Sequence, residues 1–214
     1  MALQTEKLGL FPLNVVLFPT ALIPLHIFEE RYKKLINECL TNRSEFGINF
    51  LDNGKISDVG CGAKVMQLIK RHEDGKLDVI IEGTRRFYAK DFTDGVAPYL
   101  VGTVSWLVDE DDTIDQHLLL QTIDLYNELV EKVYRNGEVE TIDPADYPDG
   151  ASFKIAQKAG MDLKQRQKLL EINSEDERLQ TLKDYLEELL PKVREAERVQ
   201  DIIRNDGYLQ RNDK

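Results

Sequence analysis

The chain has 214 residues, 42% of them hydrophobic and 31% charged, a balance that can bury a core and excludes disorder by composition. No apolar run reaches the roughly 18–20 residues of a membrane span, and MALQTEKLGL lacks the basic start and apolar stretch of a secretory signal, so a cytoplasmic protein with no membrane partner is expected. The net charge of -11 is uneven: residues 1–106 balance thirteen bases against thirteen acids, which leaves the whole excess on residues 107–214. An acidic half repels phosphate backbones, which disfavours nucleic-acid binding there.

The first half reads as strands. LFPLNVVLFP (10–19) is apolar and β-branched, but Pro12 and Pro19 predict an edge or bent strand. A helix follows, with Phe28, Tyr32, Leu35, Ile36, Cys39 and Leu40 on one face and Glu29, Glu30, Lys33, Lys34 and Glu38 turned to water. Strand-like runs resume at 46–51, 56–70, 76–83, 85–92 and 99–108. Val59, Cys61, Ala63 and Val65 alternate with Gly60, Gly62 and Lys64, the period of a half-buried strand. Asn53-Gly54, Asp74-Gly75 and Asp94-Gly95 supply hairpin turns, and the series predicts an antiparallel sheet curling towards a barrel.

Residues 137–152 hold five acids, no base and two prolines, which predicts a mobile, solvated linker, with a lid or partner contact around Tyr147 as the alternative. The second half is otherwise helical. Thr113-x-x-Gln116, Asp162-x-x-Gln165 and Ser174-x-x-Glu177 match capping boxes. The first helix buries Ile114, Leu118, Leu119, Ile123, Tyr126, Leu129, Val130 and Val133, and Asn136-Gly137 closes it. The last carries Leu179, Leu182, Leu186, Leu189, Leu190 and Val193, with a kink or restart at Pro191. Such stripes pack most simply against one another as a bundle. The expected division is a β-rich part at 1–110, a helical bundle at 111–204 and a polar tail at 205–214.

The chemistry is mostly negative. There is no GxxxxGK(S/T) loop, no HExxH and no GxSxG elbow. Gly60-Cys61-Gly62 lacks the third glycine of a dinucleotide fingerprint and suits a bulge or a close backbone approach. Cys39 and Cys61 lack a CxxC pairing and read as reduced packing residues. His26, His72 and His117 sit in unrelated segments without ligand spacing, so neither a metal nor any other cofactor is expected. Arg85-Arg86-Phe87 suits an arginine buried against acids such as Glu29 or Glu82, with Phe87 in the core, better than a nucleic-acid contact.

PLNVVLFP and PLHIFEERYKKLI (within 10–40), VGCGAKVMQL (59–68) and VIIEGTRRF (79–87) resemble the LON domain, the N-terminal substrate-recognition region of Lon proteases. The resemblance continues through KIAQKAGMDLKQRQKLLEINSEDERLQTLKDYLEELL (154–190) and spans roughly residues 8–204. It implies an α+β fold, a PUA-like β-barrel-type subdomain with one inserted helix followed by an α-helical bundle. It also implies protein recognition. Because the sequence ends at Lys214, it resembles a stand-alone LON-domain protein without the ATPase and protease modules. Two cysteines cannot supply the zinc domain of cereblon-type receptors.

The leading expectation is a non-catalytic module that recognises unfolded or degron-like segments, alone or as an adaptor to a separate protease or ATPase. Such recognition uses an apolar groove or a sheet edge. Phe28, Glu29, Glu30 and Arg31, at the start of the first helix, are the candidate peptide-binding residues. The competing readings are an enzyme with a dispersed active site and an RNA-binding PUA-like module, the latter disfavoured by the missing basic stripe.

Overall fold

The computed structural model describes residues 5–93, 95, 97–109, 114–134, 139–144 and 150–205. In chain order these form β1 (Thr5–Leu13), β2 (Leu22–Ile27), α1 (Glu30–Asn42), β3 (Phe46–Asp52), β4 (Lys55–Arg71), β5 (Leu77–Thr93), β6 (Leu100–Trp106), α2 (Gln116–Val133), α3 (Ala151–Lys158), α4 (Leu163–Glu171) and α5 (Glu175–Asn205). Among the described residues, no helix is long and apolar enough to cross a membrane.

The six strands share one sheet in the order β2-β5-β4-β3-β1-β6, and β5 also pairs with β6. Every pairing is antiparallel except β1 with β3, and the chain between those two supplies β2 and α1 as the crossover that a parallel pair requires. The β3–β4 hairpin turns at Asn53 and Gly54, with φ of 49° and 80°, the doubly left-handed geometry for which Asn-Gly is suited.

Three strand expectations change. β1 begins at Thr5 and ends at Leu13, so Val15 to Pro19 lies outside it. Pro12 sits beyond Leu10, the last residue paired with β6, where a missing N–H costs that ladder nothing. β2 is an additional strand that follows the bend, and its Pro24 is tolerated at the sheet edge. The runs at 76–83 and 85–92 are one strand. Gly83 is a crossing point rather than a turn, for its N–H donates to Ala21 O at 2.9 Å and its carbonyl accepts from Thr20 N at 2.8 Å. A Cβ there would lie 2.1 Å from the Phe18 carbonyl oxygen.

The chain forms two compact units, one of residues 1–112 with 150–175, the other of 113–149 with 176–214. In the first, Leu8, Leu10, Phe87, Ala89 and Val104 form a core cluster on which Leu100 and Trp106 pack. α1 buries Tyr32, Leu35, Ile36 and Cys39, and Tyr32 stacks on Phe11 at 3.7 Å between ring centroids. The glycines of 60–62 mark close approaches as expected: a Cβ at Gly60 would lie 2.5 Å from Ile48 O, and one at Gly62 would lie 2.6 Å from Thr84 Oγ1. α3 and α4 belong to this unit. Gln167 of α4 donates to Val59 O of β4 at 3.1 Å, and Phe153 of α3 stacks on Phe18 at 5.5 Å.

In the second unit, α2 buries Leu119, Ile123, Tyr126, Leu129 and Val130, while the stripe of α5 buries Leu179, Leu182, Leu186 and Leu190. α5 runs through Pro191 without ending. α2 is capped by Asp115, whose side chain accepts from His117 N and Leu118 N. Asp162 and Gln165 form the expected capping box of α4. The segment read as a loop at 137–152 is anchored in part. Ile142 is buried, its N–H and carbonyl held by the Asn127 side chain at 2.8 and 2.9 Å, and α3 begins at Ala151. Thr113, Asn136, Gly137 and Tyr147 lie outside the described residues.

Candidate functional site

The strongest surface feature is a three-stranded ribbon at one end of the sheet. Residues 77–82 of β5 form its centre, paired with β2 on one side and residues 64–71 of β4 on the other. The pairing of β3 with β4 stops at Ala63, so β4 beyond that point, like β2, has an outer edge without a partner strand among the described residues. Two bulges interrupt the β4 register, between Val65 and Gln67 and between Leu68 and Lys70. Met66 and Ile69 are therefore the extra residues, and each is 53% exposed. Bulges re-aim side chains; Ile69, which simple alternation from Val65 would turn inward, is exposed here, as Met66 is. Leu22 and Phe28, 61% and 60% exposed, lie on and just beyond β2.

Beside Phe28 is a cluster of two histidines and an aspartate. His26 and Asp78 are direct cross-strand partners in the β2–β5 register, with His26 Nδ1 2.6 Å from Asp78 Oδ1. His72 Nε2 lies 2.7 Å from the other carboxylate oxygen. The hydrogen bonds from His26 and from His72 hold the Asp78 carboxyl below its usual range. The His26 and His72 rings meet edge to face at 5.7 Å, and Phe28 stacks near His26 at 6.2 Å. Sequence inspection kept the histidines apart because only strand pairing brings these segments together.

The four expected peptide-binding residues, consecutive in the chain, have different surroundings. α1 starts at Glu30, so Phe28 precedes the helix, leaves the buried stripe and faces solvent beside the ribbon. Glu30 pairs with Lys33 at 2.5 Å. Glu29 accepts from Arg31 Nε at 2.9 Å, and the Arg31 guanidinium lies 4.6 Å from the Tyr32 ring centroid. Glu29 and Arg31 line a separate cleft of about 450 Å³ with Tyr32, Leu51, Pro98 and Tyr99. There burial, and then the Glu38 carboxylate that accepts a hydrogen bond from the Tyr99 hydroxyl, push the Tyr99 phenol up to about 12.

The Arg85-Arg86-Phe87 motif is structural. Phe87 is fully buried. Arg86 is also buried, but its partners are Asp109 at 2.6 Å and the carbonyls of Leu170 and Ile172, not Glu29 or Glu82. Arg85 lies over the Trp106 ring, 3.7 Å from its centroid, and pairs with Glu45 at 3.8 Å. Both cysteines are free and buried. Burial pushes the Cys61 thiol up to about 12, unlike the lowered value of a nucleophilic cysteine.

Residues 7–188 match the family model of the ATP-dependent protease La (LON) substrate-binding domain. Lon protease of Flavobacterium johnsoniae is 26% identical over 216 residues, covering 94% of this chain and 26% of that protein. Lon protease of Halothermothrix orenii is 29% identical over 206 residues, covering 86% of this chain and 26% of that protein. The chain thus spans about a quarter of the length of these curated relatives. The crystal structure of a Lon N-terminal domain protein from Xanthomonas campestris is similar with a TM-score of 0.66 at 28% identity, covering 83% of this chain and 96% of that one. The N-terminal domain of Mycobacterium avium complex Lon protease shares the fold, with a TM-score of 0.67 at 19% identity over 85% of this chain and 98% of that one. With its mixed α+β architecture and a family match over most of its length, the chain belongs to the LON substrate-binding domain family.

Proposed function

We propose that this chain is a non-catalytic protein-recognition module that binds unfolded or degron-like segments at the β2-β5-β4 ribbon. The observation that carries this reading is the placement of Met66 and Ile69 at two bulges of an open strand edge, each more than half exposed. An extended segment can add to such an edge through backbone hydrogen bonds while exposed apolar groups take its side chains. Nothing in that mode demands a fixed sequence, which suits a recogniser of unfolded chains. Phe28 is the anchor on the β2 side, and the Glu29–Arg31 pair, with Glu30 nearby, offers polar contacts on the next stretch of chain.

Kinship with the substrate-binding domains of ATP-dependent proteases supports protein segments as the ligand class. A cytoplasmic setting and delivery to a separate protease or ATPase belong to the same reading. The β5–β6 pairing, which joins the two ends of the order β5-β4-β3-β1-β6, supports placing the sheet among PUA-like barrel-type folds. The net charge of -11 favours protein over RNA as the partner.

The test is fluorescence anisotropy of a labelled, permanently unfolded protein titrated with this chain. Saturable binding that unlabelled unfolded protein competes away, and that RNA and native protein do not, supports the reading. Absence of binding at tens of micromolar, or equal competition by RNA, overturns it.

A further inference from the structure

We propose that His26, His72 and Asp78 form a binding site for a single Zn²⁺ ion on the ribbon. The inference stands apart from peptide recognition, since it rests on the chemistry and placement of three side chains. One ring nitrogen of each histidine and a carboxylate oxygen of Asp78 all lie within 4.8 Å of one another, and His26 Nδ1 and His72 Nε2 are the nitrogens that face the carboxylate. A tetrahedral zinc site with bonds of about 2.0–2.1 Å sets its ligand atoms roughly 3.3 Å apart, so small side-chain rotations suffice.

The backbone holds all three positions. His26 and Asp78 are cross-strand partners in an uninterrupted register from Leu22↔Glu82 to Ile27↔Leu77. His72 sits where β4 turns into β5, its N–H donating to Lys76 O at 2.9 Å and its carbonyl accepting from Gly75 N at 3.0 Å. Nearby cations have other partners: Lys76 pairs with Asp74 at 2.6 Å, Lys33 with Glu30 at 2.5 Å, and Arg71 donates to Asn37 at 2.9 Å. Among the described residues, the ion-pair partners of Asp78 are the two histidines.

The donor set selects the ion. Two imidazoles and one carboxylate suit zinc and its first-row neighbours, whereas calcium and magnesium favour oxygen. Three protein ligands leave a fourth position for water or for a group from a partner. Binding requires each neutral imidazole to carry its proton on the nitrogen away from the carboxylate. The two hydrogen bonds to Asp78 are then exchanged for bonds to the ion. The ion ties the edge strand β2 to the β4–β5 turn, beside Phe28.

Equilibrium dialysis of the untagged full chain against Zn²⁺ tests this, with Co²⁺ absorption reporting ligand geometry. One Zn²⁺ per chain and a tetrahedral Co²⁺ spectrum are expected. His26→Gln, His72→Gln and Asp78→Asn each weaken binding by at least about tenfold, whereas His117→Gln leaves it unchanged. Circular dichroism checks that the variants fold. Where one does not, imidazole NMR of the unmodified protein decides: Zn²⁺ must move the His26 and His72 resonances and leave that of His117. No binding at tens of micromolar Zn²⁺, undiminished binding in folded His26→Gln and His72→Gln proteins, or shifts confined to His117 overturn the site.

Discussion

Arg86 on β5 reaches the C-terminal end of α4, its Nη1 donating to the Leu170 carbonyl at 2.8 Å and to that of Ile172 at 2.7 Å. Carbonyls at a helix end lack intrahelical donors, and a cation there also meets the negative end of the helix dipole. Its Nη2 is 2.6 Å from Asp109. One buried guanidinium thus ties the sheet, the chain after β6 and α4 together. Arg86→Met keeps the apolar stem and removes the donors. The expected loss is about 3 kcal/mol, the scale for breaking a buried charged network from one side. Urea unfolding measures it, and a loss below about 1 kcal/mol would show the contacts to be incidental.

Gly83 lets the 18–21 segment cross β5. The obstacle to a side chain there is backbone, the Phe18 carbonyl oxygen at 2.1 Å from a built Cβ, and it cannot rotate away. Gly83→Ala should cost about 1–3 kcal/mol as an overpacking change and lower the thermal midpoint. An unchanged midpoint would mean that the crossing can shift freely.

Asn127 replaces a strand partner for Ile142, satisfying both its backbone N–H and its carbonyl. Asn127→Ala removes both bonds at once, at about 1–3 kcal/mol for the groups left behind. Limited proteolysis should then cut near residues 139–144 several times faster. Equal rates in both proteins would contradict this anchoring role.

Burial raises the Cys61 thiol from 9.0 to about 12. The native protein therefore keeps a proton that the unfolded chain releases above about pH 9, and stability falls as pH rises from there towards 12. Tyr126 and Tyr99, raised from 10.0 to about 12 mainly by burial, steepen the decline from about pH 10. In Cys61→Ala the slope of unfolding free energy against pH should be shallower by up to one proton. An unchanged slope would assign the alkaline transition to other groups. For the same reason neither cysteine should react with Ellman's reagent at pH 8 until the chain unfolds.

On the ribbon, Phe28→Ser and Ile69→Ser remove exposed apolar side chains. Stability should move by no more than about 0.5 kcal/mol, as for ordinary surface positions. Affinity for the unfolded-protein probe should fall several-fold. Wild-type affinity in the double variant would move the binding surface away from the ribbon.

Local pattern and tertiary placement divide clearly in this protein. The stripe of Tyr32, Leu35, Ile36 and Cys39 and that of Leu119, Ile123, Tyr126 and Leu129 are legible from a 3.6-residue period, since they concern one helix and one side. Asn53-Gly54 marks its hairpin because positive φ at two successive residues favours those residue types. Asp162 and Gln165 announce a helix start through bonds spanning three residues. The sequence by itself determined these features, and with them the mixed α+β character and the family. Only the tertiary structure decided that VMQLIK is an exposed, twice-bulged edge, since its composition reads equally well as buried strand. Phe28 likewise fits the spacing of the α1 stripe, yet the helix begins two residues later and leaves it in solvent. His26 and Asp78 stand 52 residues apart and meet through strand register. The return of α3 and α4 to the first unit is equally non-local. Periodicity records which side of an element is apolar; which element covers that side is settled by long-range pairing, which no short window of sequence contains.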